Sequence, residues 1–155
     1  MSSSARRPVP VHKALPGQVF WGMGHWRTPR ENMKNSGHPP LISCIVPVFN
    51  GARYIKQALE SIWEQTYQPL EIIVVDDGST DDTKHIVQAI DRPVRYVSQN
   101  RMGPAAARNR GIAMSQGEFL AFLDSDDLWH SGKLSKQFAK FSSSPEIEAC
   151  VTFVN

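Results

Sequence analysis

The chain has 155 residues, enough for one substantial core and too few for two full domains. With 41% hydrophobic and 21% charged residues its composition is that of an ordinary soluble globular protein, and no apolar run approaches the ~20 residues of a membrane-spanning helix. The net charge of +2 is unevenly spread: Arg6, Arg7, Lys13, Arg27, Arg30 and Lys34 face Glu31 alone in residues 1–40, which leaves a mildly acidic remainder.

Residues 1–39 carry Ser2-Ser3-Ser4, scattered prolines and no sustained hydrophobic period, and read as a flexible N-terminal extension. The scattered, Pro-interrupted charges read first as a solvated tail; peripheral contact with an anionic membrane surface is the alternative, and no nucleic-acid partner is expected. No apolar leader run opens the chain, which predicts a cytoplasmic protein working at or near the inner face of the membrane. Met33, just ahead of the first strong strand, is an alternative natural start.

From Leu41 the pattern becomes regular. Leu41–Val48 reads as a buried strand. Ile55, Ala58, Leu59, Ile62 and Trp63 then recur at helical spacing and give one apolar face. Glu71–Val75 is a second strand. Ser79 or Thr80 is expected to cap a helix beginning near Asp81, with Ile86, Val87 and Ile90 on its inner face. Val94–Val97 is a short third strand, and Pro104 suits the first turn of a helix running to about Met114. Phe119–Leu123 is a fourth strand, Leu134, Phe138 and Phe141 mark a further helix, and Ala149–Val154 reads as a fifth strand. Cys44 and Cys150 lie in apolar runs and read as buried free thiols rather than a disulfide or a metal site.

This alternation predicts an α/β fold: a mostly parallel, Rossmann-like sheet with helices on both faces. In such sheets ligands lie beyond the carboxyl ends of the strands. Pro47–Asn50, Asp76–Ser79, Gln99–Gly103 and Asp124–Asp127 are therefore expected to share one rim.

Each group on that rim suggests chemistry. Asp124-Ser125-Asp126-Asp127 follows a buried strand, where clustered carboxylates call for a cation. Asp124 and Asp126 are the candidate ligands for Mg²⁺ or Mn²⁺, which would neutralise charge on a diphosphate leaving group. Of Asp76 and Asp77, the second is assigned to the N–H of a base such as uracil, and Gly78-Ser79 to a tight turn. Pro47 cannot donate to a ladder, so pairing is expected to break there and expose backbone at Val48, Phe49 and Asn50, with the Phe49 ring as a flat surface for a base. Gly103 opens a helix of small residues from which Arg108 can reach a diphosphate; Arg101 and Arg110 compete for that role. His85 and His130 have no visible partner set and read as structural or exposed.

Four segments together resemble the family 2 glycosyltransferases, which have the GT-A fold. They are Val46-Pro47-Val48-Phe49-Asn50, the run from Val74 through Asp76-Asp77-Gly78-Ser79 to Thr83, Gly103 with Ala107-Arg108-Asn109 and Gly111, and Gly117-Glu118-Phe119 through Asp124-Ser125-Asp126-Asp127. The resemblance covers residues 40–155. It implies a nucleotide-diphosphate sugar as donor, a UDP-sugar being favoured, with Pro47, Val48, Phe49, Asn50, Asp76, Asp77, Gly103, Arg108, Asp124 and Ser125 around it. It implies that Asp77 reads the base, that Asp124 lies near ribose and diphosphate, and that Asp126 binds a divalent cation, Mn²⁺ or Mg²⁺. It further implies inverting transfer to a saccharide, lipid or protein acceptor, as in polysaccharide biosynthesis. The general base of that family falls after the fifth strand, so it is expected beyond Asn155, and the chain reads as a donor half truncated after about that strand.

Two other readings stand beside this one. A haloacid-dehalogenase-like phosphatase would use Asp124 as nucleophile, but its Asp-x-Asp closes the first strand rather than the fourth. A nucleotide-binding fragment without catalysis shares every motif. A dinucleotide-binding dehydrogenase fits poorly, because Asn50-Gly51-Ala52-Arg53-Tyr54 is not a G-x-G-x-x-G loop.

Overall fold

The computed structural model describes residues 38–144 and 147–151. Four strands, β1 (Ile42–Val48), β2 (Leu70–Asp76), β3 (Arg95–Ser98) and β4 (Phe119–Phe122), alternate with four helices, α1 (Ile55–Trp63), α2 (Thr83–Gln88), α3 (Pro104–Met114) and α4 (Lys133–Ser143). The strands form one sheet in the order β3-β2-β1-β4, and every pairing is parallel. The expected α/β sheet is therefore present.

Period-two alternation along β1 sorts its side chains. Ile42, Cys44, Val46 and Val48 face a core that also takes Ile55, Ala58, Leu59 and Ile62 of α1, Val87 of α2 and Leu134 of α4. The opposite face is thinner, with Ile73 and Val75 packing on Ala107 of α3. Helices thus cover both faces, as the chain's alternation requires. Gly111 brings α3 close: a Cβ there would stand 2.4 Å from Ile45 Cγ2. Complete burial of each of these aliphatic side chains contributes about 1.5–3 kcal/mol.

Three expectations need correction. Pro47 does not break the β1–β2 ladder, which runs on through Pro47↔Val75 to Val48↔Asp76. Ile45 and Pro47 turn their backbone groups towards β4, since Leu123 N–H donates to Ile45 O while Asp77 N–H donates to Val48 O. The ladder to β4 ends at Ile45↔Phe122, so the donor that Pro47 lacks falls beyond the last pair. Second, α2 starts at Thr83, and neither Ser79 nor Thr80 caps it; the Asp81 carboxylate accepts the Thr83 N–H at 3.1 Å. The two hydroxyls turn instead to the β1–α1 loop. Third, Ala149–Val151 forms no strand, and Ala149 and Val151 are exposed. Residues 152–154 of that expected strand, and all of 1–37, lie outside the described residues.

Cys44 is buried and free, as expected, and Cys150 is half-buried and free. No helix among the described residues is long and apolar enough to cross a membrane.

Candidate functional site

Parallel register sets the rim. Val48, Asp76 and Ser98 stand opposite one another at the ends of β1, β2 and β3. The cavity beyond them, about 370 Å³, is lined by Pro47, Val48 and Phe49 after β1, Asp77 after β2, and Arg101 and Gly103 before α3. Pro104, Ala107 and Arg108 of α3 and Asp124, Ser125 and Asp126 after β4 complete the wall.

Asp77 is 3% exposed and organises one side. Its Oδ1 accepts Gln99 Nε2 and the Met102 N–H, both at 2.8 Å, and its Oδ2 accepts the Gly103 N–H at 2.7 Å. Burial alone would raise this carboxyl, but those bonds and the Arg101 charge hold it below the ordinary carboxylate range. Asp77 is therefore an anion that pins the β3–α3 loop and the start of α3. Oδ2, with a single internal bond, keeps acceptor capacity for a ligand N–H. Gly103, at φ 92° and ψ 162°, adopts a backbone conformation open only to glycine and aims α3 at the cavity.

Phe49 stands at the opposite wall, 37% exposed, with the Arg101 guanidinium 4.0 Å from its ring centre. Arg108, one turn into α3, pairs with Asp124 across the cavity. Both side chains are partly in water, at 35% and 51% exposure, so the pair adds little to stability and can exchange partners with a ligand. Asp126 is exposed and makes no hydrogen bond or ion pair among the described residues.

Among the described residues no three His, Cys, Asp or Glu side chains form a metal cage. Asp124 and Asp126 fit a hard divalent ion of the kind that takes one or two carboxylates from the protein and its other ligands from water and phosphate oxygens.

The cavity gathers Pro47, Val48, Phe49, Asp77, Gly103, Arg108, Asp124, Ser125 and Asp126, all expected from the sequence. Asn50 and Asp76 are not in its lining. Asn50 Oδ1 accepts the Thr80 N–H at 2.8 Å. Asp76 is 2% exposed; its Oδ1 accepts the Ser79 N–H at 2.7 Å and its Oδ2 the Tyr96 hydroxyl at 2.5 Å. Both side chains shape loops rather than face the cavity.

The model of glycosyl transferase family 2 matches residues 43–155. The chain belongs to glycosyl transferase family 2. An uncharacterized family relative from Haemophilus influenzae is 45% identical over 102 residues, 63% of this chain and 41% of that protein. The putative teichuronic acid biosynthesis glycosyltransferase TuaG of Bacillus subtilis is 42% identical over 103 residues, again 63% of this chain, and 40% of TuaG. The chain therefore spans less than half of the length of these relatives. Among solved structures, S. aureus TarS 1-349 in complex with UDP-GlcNAc superposes with a TM-score of 0.59 at 32% identity, covering 66% of this chain and 31% of that one. Mannosyltransferase PcManGT from Pyrobaculum calidifontis, in complex with GDP-Man and Mn²⁺, gives 0.63 at 31% identity, covering 72% and 34%.

For this family 2 chain, sequence reasoning missed Pro104 and Ala107 as lining residues and ranked Arg101 as a mere competitor of Arg108. Placing Pro104 at the start of α3 was the available signal, since a helix that begins at the rim shows its first turn to the ligand.

Proposed function

We propose that this chain carries the donor-binding half of a glycosyltransferase that moves a sugar from a nucleotide-diphosphate sugar, a UDP-sugar by preference, to a saccharide, lipid or protein acceptor with inversion. The observation that carries the reading is one cavity at the carboxyl ends of the strands that joins a buried carboxylate, Asp77, to an arginine and two further carboxylates, Arg108, Asp124 and Asp126. The spread of these groups over three places in the fold, the loop after β2, α3 and the loop after β4, suits a ligand with a base at one end and phosphates at the other.

In this reading Asp77 accepts the base N–H on Oδ2, and the Phe49 wall lies beside the base. Arg108 offers its planar fork to the diphosphate. The first turn of α3, with its outward N–H groups, adds positive potential on the same side. Asp126, with Asp124, would hold a divalent cation, Mn²⁺ or Mg²⁺, which supplies charge neutralisation at the leaving diphosphate. Acceptor activation is assigned to no residue of this chain. A part in making a polymer fits the name of the TuaG relative, a putative teichuronic acid biosynthesis glycosyltransferase.

Calorimetric titration with UDP and Mn²⁺ tests the reading. Wild type should bind UDP in a metal-dependent way, and Asp126→Ala should weaken that binding by at least about tenfold. UDP binding that ignores both metal and substitution would overturn the site. Hydrolysis of a UDP-sugar by the chain then separates an enzyme from a binding fragment.

A further inference from the structure

The β1–α1 turn is held by side chains of another loop. After Val48 the ladder to β2 stops, and the turn that follows Phe49 carries the N–H groups of Asn50, Gly51 and Ala52. Each is taken from the β2–α2 segment: Asn50 N–H donates to Ser79 Oγ at 2.9 Å, Gly51 N–H to Thr83 Oγ1 at 3.0 Å, and Ala52 N–H to Asp81 Oδ2 at 3.0 Å. The Thr83 hydroxyl in turn donates a hydrogen bond to Asp81 Oδ1 at 2.5 Å. Gly51 N–H, Thr83 hydroxyl and Asp81 carboxylate thus form a directed relay that ends on a charge, the stronger kind of hydrogen bond. Thr83 has no exposed surface, so water cannot substitute for its hydroxyl.

The turn needs such a clasp. Asn50 sits at φ 52°, a left-handed conformation. Gly51 is wedged so tightly that a Cβ would fall 2.5 Å from Val48 Cγ2 and 3.3 Å from Ser125 Oγ. Phe49 is the residue immediately before this turn, and its half-exposed ring is a wall of the cavity.

We infer that Asp81, relaying through the Thr83 hydroxyl, is a positioning residue for the nucleoside end of the donor: it fixes the Asn50–Ala52 turn, and the turn sets the Phe49 wall beside which the base lies. The inference rests on the donor-site reading above. Its signature is asymmetry. Arg108 and Asp126 hang from α3 and from the loop after β4, and neither bonds the 79–83 segment; that loop meets the turn through packing of Ser125 on Gly51, so the phosphate end depends on the clasp less than the nucleoside end does.

The test compares Thr83→Val, close in shape but without the hydroxyl, with Thr83→Ser, which keeps it, and with the exposed-side variant Asp81→Asn, which keeps the fold if Thr83→Val does not. Binding of UDP and of inorganic pyrophosphate, each with Mn²⁺, is measured by calorimetry, and amide hydrogen exchange is followed in the ligand-free chain. Thr83→Val and Asp81→Asn should lose about 3- to 10-fold for UDP, the worth of one hydrogen bond, and less than about twofold for pyrophosphate. Thr83→Ser should restore UDP binding. The amides of Asn50, Gly51 and Ala52 should exchange faster in the two weakened variants while those of α1 do not. Equal losses for both ligands, no loss for UDP, or unchanged exchange at the turn would each overturn the positioning role. A wild-type chain that binds no UDP would overturn the donor reading itself, a result distinct from any of these.

Discussion

Replacing Glu71 by Gln should destabilise the fold at neutral pH while leaving its shape intact. Glu71 is the second residue of β2, at the end of the sheet opposite the cavity, and its carboxylate gathers four donors. Oε1 accepts the Ser43 hydroxyl at 2.5 Å and the N–H groups of Gln116 and Gly117 at 2.5 and 3.1 Å; Oε2 pairs with Arg95 at 3.3 Å. The side chain thus ties β1, β2, β3 and the turn that leads into β4, the strand that delivers Asp124 and Asp126. Burial alone would raise its carboxyl, but the bonds from Ser43, Gln116, Arg95 and Gly117 hold it below its ordinary value of 4.5. A hydrogen bond to a charged group is worth about 1.5–3 kcal/mol and a neutral one about 0.5–1.5. Gln can keep the amide-facing bonds through its own oxygen but loses their charge assistance and the Arg95 pair. The expected loss is roughly 2–3 kcal/mol, or about 4–12 °C in Tm for a chain of this size. Because the native carboxyl is depressed, its stabilisation is complete above pH ~4.5 and fades as pH falls through the lower native value. Urea unfolding at pH 7, 5 and 3 should therefore show a gap between wild type and Glu71→Gln that is full at the first two and shrinks at the third. A gap under about 0.5 kcal/mol at pH 7, or one that does not narrow in acid, would refute the reasoning.

Three shorter predictions follow from other contacts. Gly111→Ala drives a methyl into the buried Ile45 side chain at 2.4 Å, so overpacking of about 1–3 kcal/mol should outweigh the gain of roughly 1 kcal/mol in helix propensity, and chemical denaturation should show net destabilisation. Arg108→Ala removes the fork beside Asp124 while leaving a surface-exposed pair unmade; Tm should move little, and UDP affinity should drop about tenfold by calorimetry. Cys44 is fully buried, which pushes its thiol up to about 12, so a thiol reagent at pH 8 should label Cys150 readily and reach Cys44 only on unfolding.

Much of this was readable in the residues. The apolar runs at 44–48 and 72–75, short and rich in β-branched residues, read as strands buried on both faces, and the 3.6-residue recurrence of Ile55, Ala58, Leu59 and Ile62 as a one-faced helix. The rim then follows from topology, because parallel strands all point their carboxyl ends the same way. What the pattern could not yield was the sharing of polar side chains between loops. Ser79 and Thr80 look like caps from their place before a helix; whether a hydroxyl serves its own helix or a neighbouring turn depends on how close β1 and β2 bring the two loops. Asp76 and Asp77 are equally acidic in sequence, yet alternation along β2 turns the first to Tyr96 and leaves the second at the cavity. The short apolar run at 149–151 carried a strand-like composition but finds no ladder among the described residues, and composition without a partner does not make a strand.

The three carboxylates of the cavity show why position, rather than residue type, decides chemistry. Asp77 is out of water and accepts three internal bonds, so it is a fixed anion whose spare acceptor direction is narrow, fit to read one N–H and poor at moving to meet a metal. Asp124 is half in water and already neutralised by Arg108, so either partner can be traded for a charged ligand without exposing an unpaired charge in a dry site. Asp126 is solvated and unpartnered among the described residues, the state that costs least to convert into an inner-sphere ligand. Exchanging any two of these environments would remove the gradient from a rigid, bonded carboxylate to a free one: on the proposed reading, a solvated carboxylate at position 77 would discriminate bases weakly, and a saturated one at position 126 would have no lone pair to give. In the donor-site reading proposed above, the order in which the rim presents them, Asp77 from β2 and Asp124 and Asp126 from β4 with β1 between, would put the base over β2 and the diphosphate over β4.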